Sequence, residues 1–288
     1  ATAYLLQLLL LLESPLFANY MLSRLEFPIG VFDSGIGGLT VARALMQHLP
    51  HERILYFGDT ARVPYGVKSA DTIAQYAAQI TDFLLERKVK LLIVACNTMA
   101  AVAASAIRAR SPVPVLDVIE TGAQVAAQRT RNRRIGVIGT LTTVGSGAYE
   151  TAIHGHDSTI AIHSQACPLF VPLVEEGWLE HPVTLLTAQE YLAPVLAQGI
   201  DTLVLGCTHY PLLQPLLAGV AGSAVQLVDS AETTAAQTGA LLARLGLLNP
   251  GNVPPAHQFY VTDVPQRVRA VGERFLGQPL AAVEVVKW

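Results

Sequence analysis

Two cysteines 111 residues apart sit in nearly the same local setting: Leu91-Leu92-Ile93-Val94-Ala95-Cys96-Asn97-Thr98 and Thr202-Leu203-Val204-Leu205-Gly206-Cys207-Thr208-His209. Each thiol ends a run of aliphatic residues that reads as a buried parallel strand, and small polar residues follow it. In open α/β sheets ligands bind beyond the carboxyl ends of the strands, so both thiols stand where chemistry is done. An unperturbed thiol titrates at about pH 8.5, close enough to neutrality to serve as a base when ionised and as an acid when not. Cys167, in Ala166-Cys167-Pro168-Leu169-Phe170, lacks an aliphatic strand running into it and reads as structural.

A lone free cysteine is more often a small buried hydrophobe than a catalyst, but matched placement at two strand ends favours chemistry. A metal site could combine Cys207 and His209, in C-x-H spacing, with Cys96; no C-x-x-C pair or second histidine cluster supports it. For a Cys/His hydrolase, His209 is only two residues from Cys207 and no G-x-S-x-G elbow is present. Disulfide exchange ordinarily uses C-x-x-C, which is absent. The remaining option is a two-base proton transfer at one carbon. One thiolate takes a proton from one face while the other thiol delivers a proton to the opposite face. Two facing domains would supply one group per face.

The elements that must hold these thiols follow from the pattern. The chain has 288 residues, 51% of them apolar and 14% charged, enough for a large core and more naturally two domains than one. A net charge of −3 offers no field for nucleic acid or an anionic membrane. Three cysteines in such a length suit free thiols in a reducing, cytoplasmic setting. From Phe27 onward, short aliphatic runs alternate with helical patterns. Strands are expected at Ile29–Phe32, Arg53–Phe57, Leu91–Ala95, Val113–Leu116, Ile135–Ile138, Ala161–Ser164, Thr202–Leu205, Val225–Val228 and Gln258–Val261. Asp71 is placed to cap a helix carrying Ile73, Tyr76, Ala77, Ile80, Phe83 and Leu84 at helical spacing.

Ile29-Gly30-Val31 and Ile135-Gly136-Val137 repeat at an offset of 106, close to the cysteine offset. The expected fold is therefore two similar open, mostly parallel-sheet α/β domains facing each other across a central cleft. Residues 27–120 would form the first, completed by about 229–288, and 121–228 the second. Residues 1–26 form an apolar N-terminal extension. Its run Leu5–Leu12 is far short of the ~20 residues that cross a bilayer, and no basic residue precedes it. It reads as a helix packed on the body, or as sequence upstream of a start at Met21; no membrane partner is expected.

Three further motifs stand out. Asp33-Ser34-Gly35-Ile36-Gly37-Gly38-Leu39-Thr40 follows the first strand and opens a helix. Asp33 could hold an ammonium group, tune a thiol, or simply cap the turn. Gly58-Asp59-Thr60-Ala61-Arg62-Val63-Pro64-Tyr65-Gly66 is a turn whose backbone N–H groups could bind a carboxylate, or an ordinary loop. Arg129-Thr130-Arg131-Asn132-Arg133-Arg134 reads as a solvated connection, the alternative being a contact with an anionic partner.

Together, Val31 to Val41, Gly58-Asp59-Thr60 through Pro64-Tyr65-Gly66, Ala95-Cys96-Asn97-Thr98 and Gly206-Cys207-Thr208-His209-Tyr210-Pro211-Leu212-Leu213 resemble the glutamate racemase family, in the family's order and from about Ile29 onward. The G-C-T-H-Y-P and P-Y-G elements favour that branch over aspartate and hydantoin racemases. The resemblance implies cofactor-independent interconversion of L- and D-glutamate, supplying D-glutamate for peptidoglycan. It makes Cys96 the base for D-glutamate and Cys207 the base for L-glutamate, assisted by Asp33 and His209. Ser34, Asn97, Thr98 and Thr208 would hold the α-amino and α-carboxylate groups. The turn Pro64-Tyr65-Gly66 would hold the side-chain carboxylate, and Thr140 and Thr143 would add hydroxyls. No metal or cofactor is expected; glutamate is the partner, with a nucleotide-linked peptidoglycan precursor as a further candidate activator and a homodimer as a candidate assembly. One departure stands out: the family's Gly-Thr-x-Gly-Thr is Gly139-Thr140-Leu141-Thr142-Thr143 here, which puts the local turn in question. The rivals are an aspartate or other amino-acid racemase of the same superfamily, and a non-catalytic amino-acid sensor.

Overall fold

Both Ile-Gly-Val segments become interior strands of parallel sheets. The structure is a computed structural model that describes residues 23–263, 266–280 and 282–288; the expectations for the apolar extension thus fall mostly outside the described residues. The first sheet contains β1 (Ile29–Asp33), β2 (Ile54–Gly58), β3 (Leu91–Val94) and β4 (Val115–Asp117). The second contains β5 (Arg134–Gly139), β6 (Ala161–Ala166), β7 (Thr202–Gly206) and β8 (Gln226–Asp229). The chain then returns to the first sheet with β9 (Gln258–Val261) and β10 (Val283–Val285).

Strand order is β10-β9-β2-β1-β3-β4 in one sheet and β6-β5-β7-β8 in the other. All pairings are parallel. The order β2-β1-β3-β4 is therefore repeated by β6-β5-β7-β8, and the sequence repeat is a repeat of topology. Strands β1, β2, β3 and β7 are buried along their whole length, which is why they read as unbroken aliphatic runs without alternation.

Helices connect the strands: α1 (Leu39–His48), α2 (Ala70–Glu86), α3 (Asn97–Arg110), α4 (Val118–Arg129), α5 (Leu141–Gly145), α6 (Ala148–His156), α7 (Phe170–Glu175), α8 (Pro182–Leu196), α9 (Gln214–Ala221), α10 (Ser230–Leu245) and α11 (Gln266–Leu276). The chain passes between the sheets twice, through α4 and through α10. Asp117 caps α4 by accepting from Ile119 N and Glu120 N, and Asp229 caps α10 by accepting from Ala231 N. The two crossing helices meet where the Thr121 and Thr234 hydroxyls bond at 2.7 Å. Lys90, fully buried, pairs with Glu52 at 2.6 Å and donates to the carbonyls of Leu25 and Leu247, fastening the segment after α10 to the first sheet.

Several expectations are corrected. Ser69, not Asp71, caps α2: its hydroxyl accepts from Thr72 N, and Asp71 lies within the first turn. Strand β4 begins at Val115 because Pro114 has no N–H for the ladder, although its carbonyl accepts from Leu92 N. The unexpected β10 is a three-residue edge strand, too short to carry a period. The arginine-rich connection is solvated and ordered by Asp201, which accepts from Thr130 Oγ1, Arg131 N and Asn132 N, each at 2.7 Å. Among the described residues, no helix is long and apolar enough to cross a membrane.

Candidate active site

Each thiol lies just beyond the carboxyl end of the strand beside its sheet's Ile-Gly-Val strand. Cys96 follows β3, and Cys207 follows β7. Asp33 ends β1 and Thr140 follows β5, so the corresponding tip of each sheet contributes a second polar group. These four residues line one cavity of about 430 Å³, within the range of small-ligand sites. Ser34, Pro64, Tyr65, Gly66, Asn97, Thr98, Thr208 and His209 line it too. Thr143 does not: it is buried behind the wall, within hydrogen-bonding reach of Thr140 (2.9 Å) and Thr98 (3.4 Å).

Cys96 is the N-cap of α3 and accepts from Met99 N at 3.4 Å, while its thiol donates to Ser34 Oγ at 3.4 Å. Burial, and then the Asp33 carboxylate, push its pKa up to about 12, with the Ser34 and Met99 hydrogen bonds only partly offsetting them. At neutral pH Cys96 is therefore a thiol. Of the three jobs left open for it, Asp33 caps the turn and bears on the thiol. Its Oδ2 accepts from Gly35 N at 3.0 Å, while its buried Oδ1 has no hydrogen-bond partner among the described residues.

The surroundings of Cys207 differ. Its sulfur lies 3.9 Å from His209 Nδ1, and His209 Nε2 lies 3.1 Å from Glu175 Oε1 at the end of α7. Burial acts to lower the His209 pKa, but hydrogen bonds to Cys207 and Glu175 outweigh it and hold the value at about 10. His209 thus carries a proton at neutral pH. Phe275 of α11 meets its ring edge-on at 4.9 Å. The glycines of the first motif allow close approach here: a Cβ on Gly37 would come within 2.6 Å of His209 Nδ1. Nearby, Thr40 Oγ1 donates to Gly37 O and Thr208 O, joining the two halves.

The Gly58–Gly66 loop is built around buried Asp59. It accepts from Arg62 Nε, Thr262 Oγ1 and the Tyr65 hydroxyl. Thr142, which stands in place of the family's glycine, leaves the turn intact. Thr140 caps α5, and the Thr142 hydroxyl donates to Gly66 O at 2.6 Å, a tie from one half to the other.

Among the described residues no group of three or more His, Cys, Asp or Glu side chains is placed to hold a metal ion. A strand does run into Cys167, because β6 extends to Ala166. Its last two residues, Gln165 and Ala166, lie beyond the strand expected at Ala161–Ser164; Cys167 itself is buried and its carbonyl accepts from Tyr210 OH. Glu175 had no signal in the sequence, since only the tertiary fold brings α7 against His209.

Residues 39–238 match the model of the Asp/Glu/hydantoin racemase family. The chain belongs to that family. It is 65% identical over 260 residues to the glutamate racemase of Syntrophus aciditrophicus, covering 90% of this chain and 96% of that one. The crystal structure of Francisella tularensis glutamate racemase in complex with D-glutamate superposes with a TM-score of 0.86 at 41% identity, covering 91% of this chain and 98% of the other. Escherichia coli glutamate racemase, solved with L-glutamate and the activator UDP-MurNAc-Ala, gives 0.74 at 29% identity over 91% and 98%. This family membership accounts for the two-domain α/β architecture and makes the chain an isomerase.

Proposed function

We propose that the protein racemises glutamate with Cys96 and Cys207 as opposed acid and base. The observation that carries this reading is the convergence of two strand-end thiols, one from each sheet, on one small cavity. Identity to glutamate racemases over nine-tenths of the chain supports glutamate as substrate. Residues 27–120 with 229–288 would act as one lobe and 121–228 as the other. D-Glutamate supply for peptidoglycan, in the cytoplasm, is the corresponding cellular role. A nucleotide-linked precursor remains a candidate activator by analogy with the Escherichia coli complex.

In the L-to-D direction Cys207 acts as the base that removes the α-proton of L-glutamate, with protonated His209 beside it. The Cys96 thiol gives its proton to the opposite face, so the carbanion becomes D-glutamate while Cys207 gains a proton and Cys96 loses one. The reverse reaction starts from that state. The α-proton is a very weak acid, so the negative charge that develops must be met by donors already in place. Asn97, Thr98 and Thr208 supply such donors around the substrate carboxylate. The Pro64-Tyr65-Gly66 turn would take the side-chain carboxylate.

Incubation with L-glutamate in D₂O, followed by NMR and circular dichroism, tests the reading. Deuteration at Cα with loss of optical activity is expected, with L-aspartate far slower. Glutamate that binds but neither exchanges nor inverts would leave a sensor; faster turnover of aspartate would reassign the substrate.

A further inference from the structure

Tyr149 of α6 is buried, and its hydroxyl donates to Asn97 Oδ1 at 2.7 Å. Tyr149 belongs to the second sheet's half, whereas Asn97 follows Cys96 in the first. The same ring lies against the residue before the other thiol: a Cβ on Gly206 would stand 2.9 Å from Tyr149 Cε2. One side chain therefore abuts the chain next to both cysteines.

The direction of this hydrogen bond fixes the orientation of Asn97. Burial, followed by the charges of Asp117, Cys207 and Asp229, raises the Tyr149 pKa well above its ordinary value, so the hydroxyl keeps its proton, and in the structure it donates that proton to Asn97 Oδ1. Asn97 must then turn its carbonyl oxygen to Tyr149 and its NH₂ group away. Asn97 is 2% exposed and lines the cavity, and its Nδ2 has no hydrogen-bond partner among the described residues. A buried amide N–H without a partner is costly and calls for an acceptor.

We propose that Tyr149 is a positioning residue for racemisation: it locks the Asn97 carboxamide so that its N–H groups face the cavity as donors to a substrate carboxylate. Rotating that amide by half a turn would present its oxygen to the carboxylate, replacing attraction with repulsion. The role rests on the racemase reading.

The test is a cycle of Tyr149→Phe, Asn97→Ala and the double variant. Steady-state racemisation and calorimetric glutamate binding are measured for each. Phenylalanine keeps the ring over Gly206 and removes only the hydroxyl, so folding is retained. Tyr149→Phe should raise Kd for glutamate about tenfold, the scale of one hydrogen bond, and lower kcat/KM by at least as much. In the Asn97→Ala background the same change should cost nothing further. Unchanged Kd and kcat/KM in Tyr149→Phe, or an equal loss in both backgrounds, would overturn the role. If wild-type protein binds glutamate without turnover, the racemase reading falls while the Kd cycle still judges Tyr149. If it does not bind glutamate, the Asn97 side-chain NH₂ resonances of the free protein decide. Slow rotation of the amide in the wild type and fast rotation in Tyr149→Phe support the lock; equal rotation refutes it.

Discussion

The two cysteine sites share a topology and differ in their electrostatics. Cys96 caps a fourteen-residue helix, next to a hydroxyl and a carboxylate. Cys207 is followed by a 3-10 turn, Tyr210–Leu213, and faces a histidine anchored by Glu175. A repeated βα framework thus supplies two equivalent positions, and the side chains around each set the proton it holds. A carboxylate beside one thiol and a protonated histidine beside the other make the two positions electrostatically unlike.

The contact between the halves should be the most sensitive. Gly37→Ala forces a methyl into His209 and Thr208, and kcat/KM should fall about 100-fold, the scale of a misplacement near 1 Å. Thermal melting run beside the kinetics separates this from unfolding. Retained activity would mean that the Cys207 side tolerates movement relative to the first sheet.

Removing the histidine should have a smaller effect and also show in stability. His209→Asn should lower kcat/KM about tenfold, the loss of one charge-assisted hydrogen bond. The folded pKa of about 10 lies above the ordinary 6.5. Stability from this proton is therefore full below pH 6.5 and lost as the pH rises through about 10. Denaturant titrations across that window should show a decline in the wild type that flattens in His209→Asn. Parallel curves would place the charge elsewhere.

The mildest expected effect is on the Cys96 side. Asp33→Asn removes the carboxylate that disfavours the thiolate, so Cys96 should ionise at lower pH while remaining above an ordinary thiol because of burial. Thiolate absorbance at 240 nm during pH titration reads this directly. An unchanged titration would leave burial as the whole cause.

Sequence carried much of this asymmetry, though unevenly. Nine strands, both thiols, Asp33 and His209 were legible because aliphatic runs and strand-end motifs are local. The partner of His209 was not, since Glu175 reaches it only through the packing of α7 on the second sheet. Tyr149 was missed for the same reason: nothing in Gly147-Ala148-Tyr149-Glu150 signals a hydrogen bond to the other half. The helix cap at Ser69 was misassigned to Asp71 because two capping residues stand two positions apart, and the backbone turns helical directly after the first of them. Thr143 carries a binding-type hydroxyl in sequence, yet its hydroxyl bonds within the wall.

The most direct test of opposed thiols uses the single-cysteine variants with each enantiomer in D₂O, following Cα–H exchange by NMR and inversion by circular dichroism. Cys96→Ser, which keeps Cys207, should exchange the α-proton of L-glutamate without inverting it and leave D-glutamate almost untouched. Cys207→Ser should do the reverse, and neither should racemise above about one-thousandth of the wild-type rate. Exchange of the same enantiomer by both variants, or racemisation surviving in either, would contradict one thiol per face.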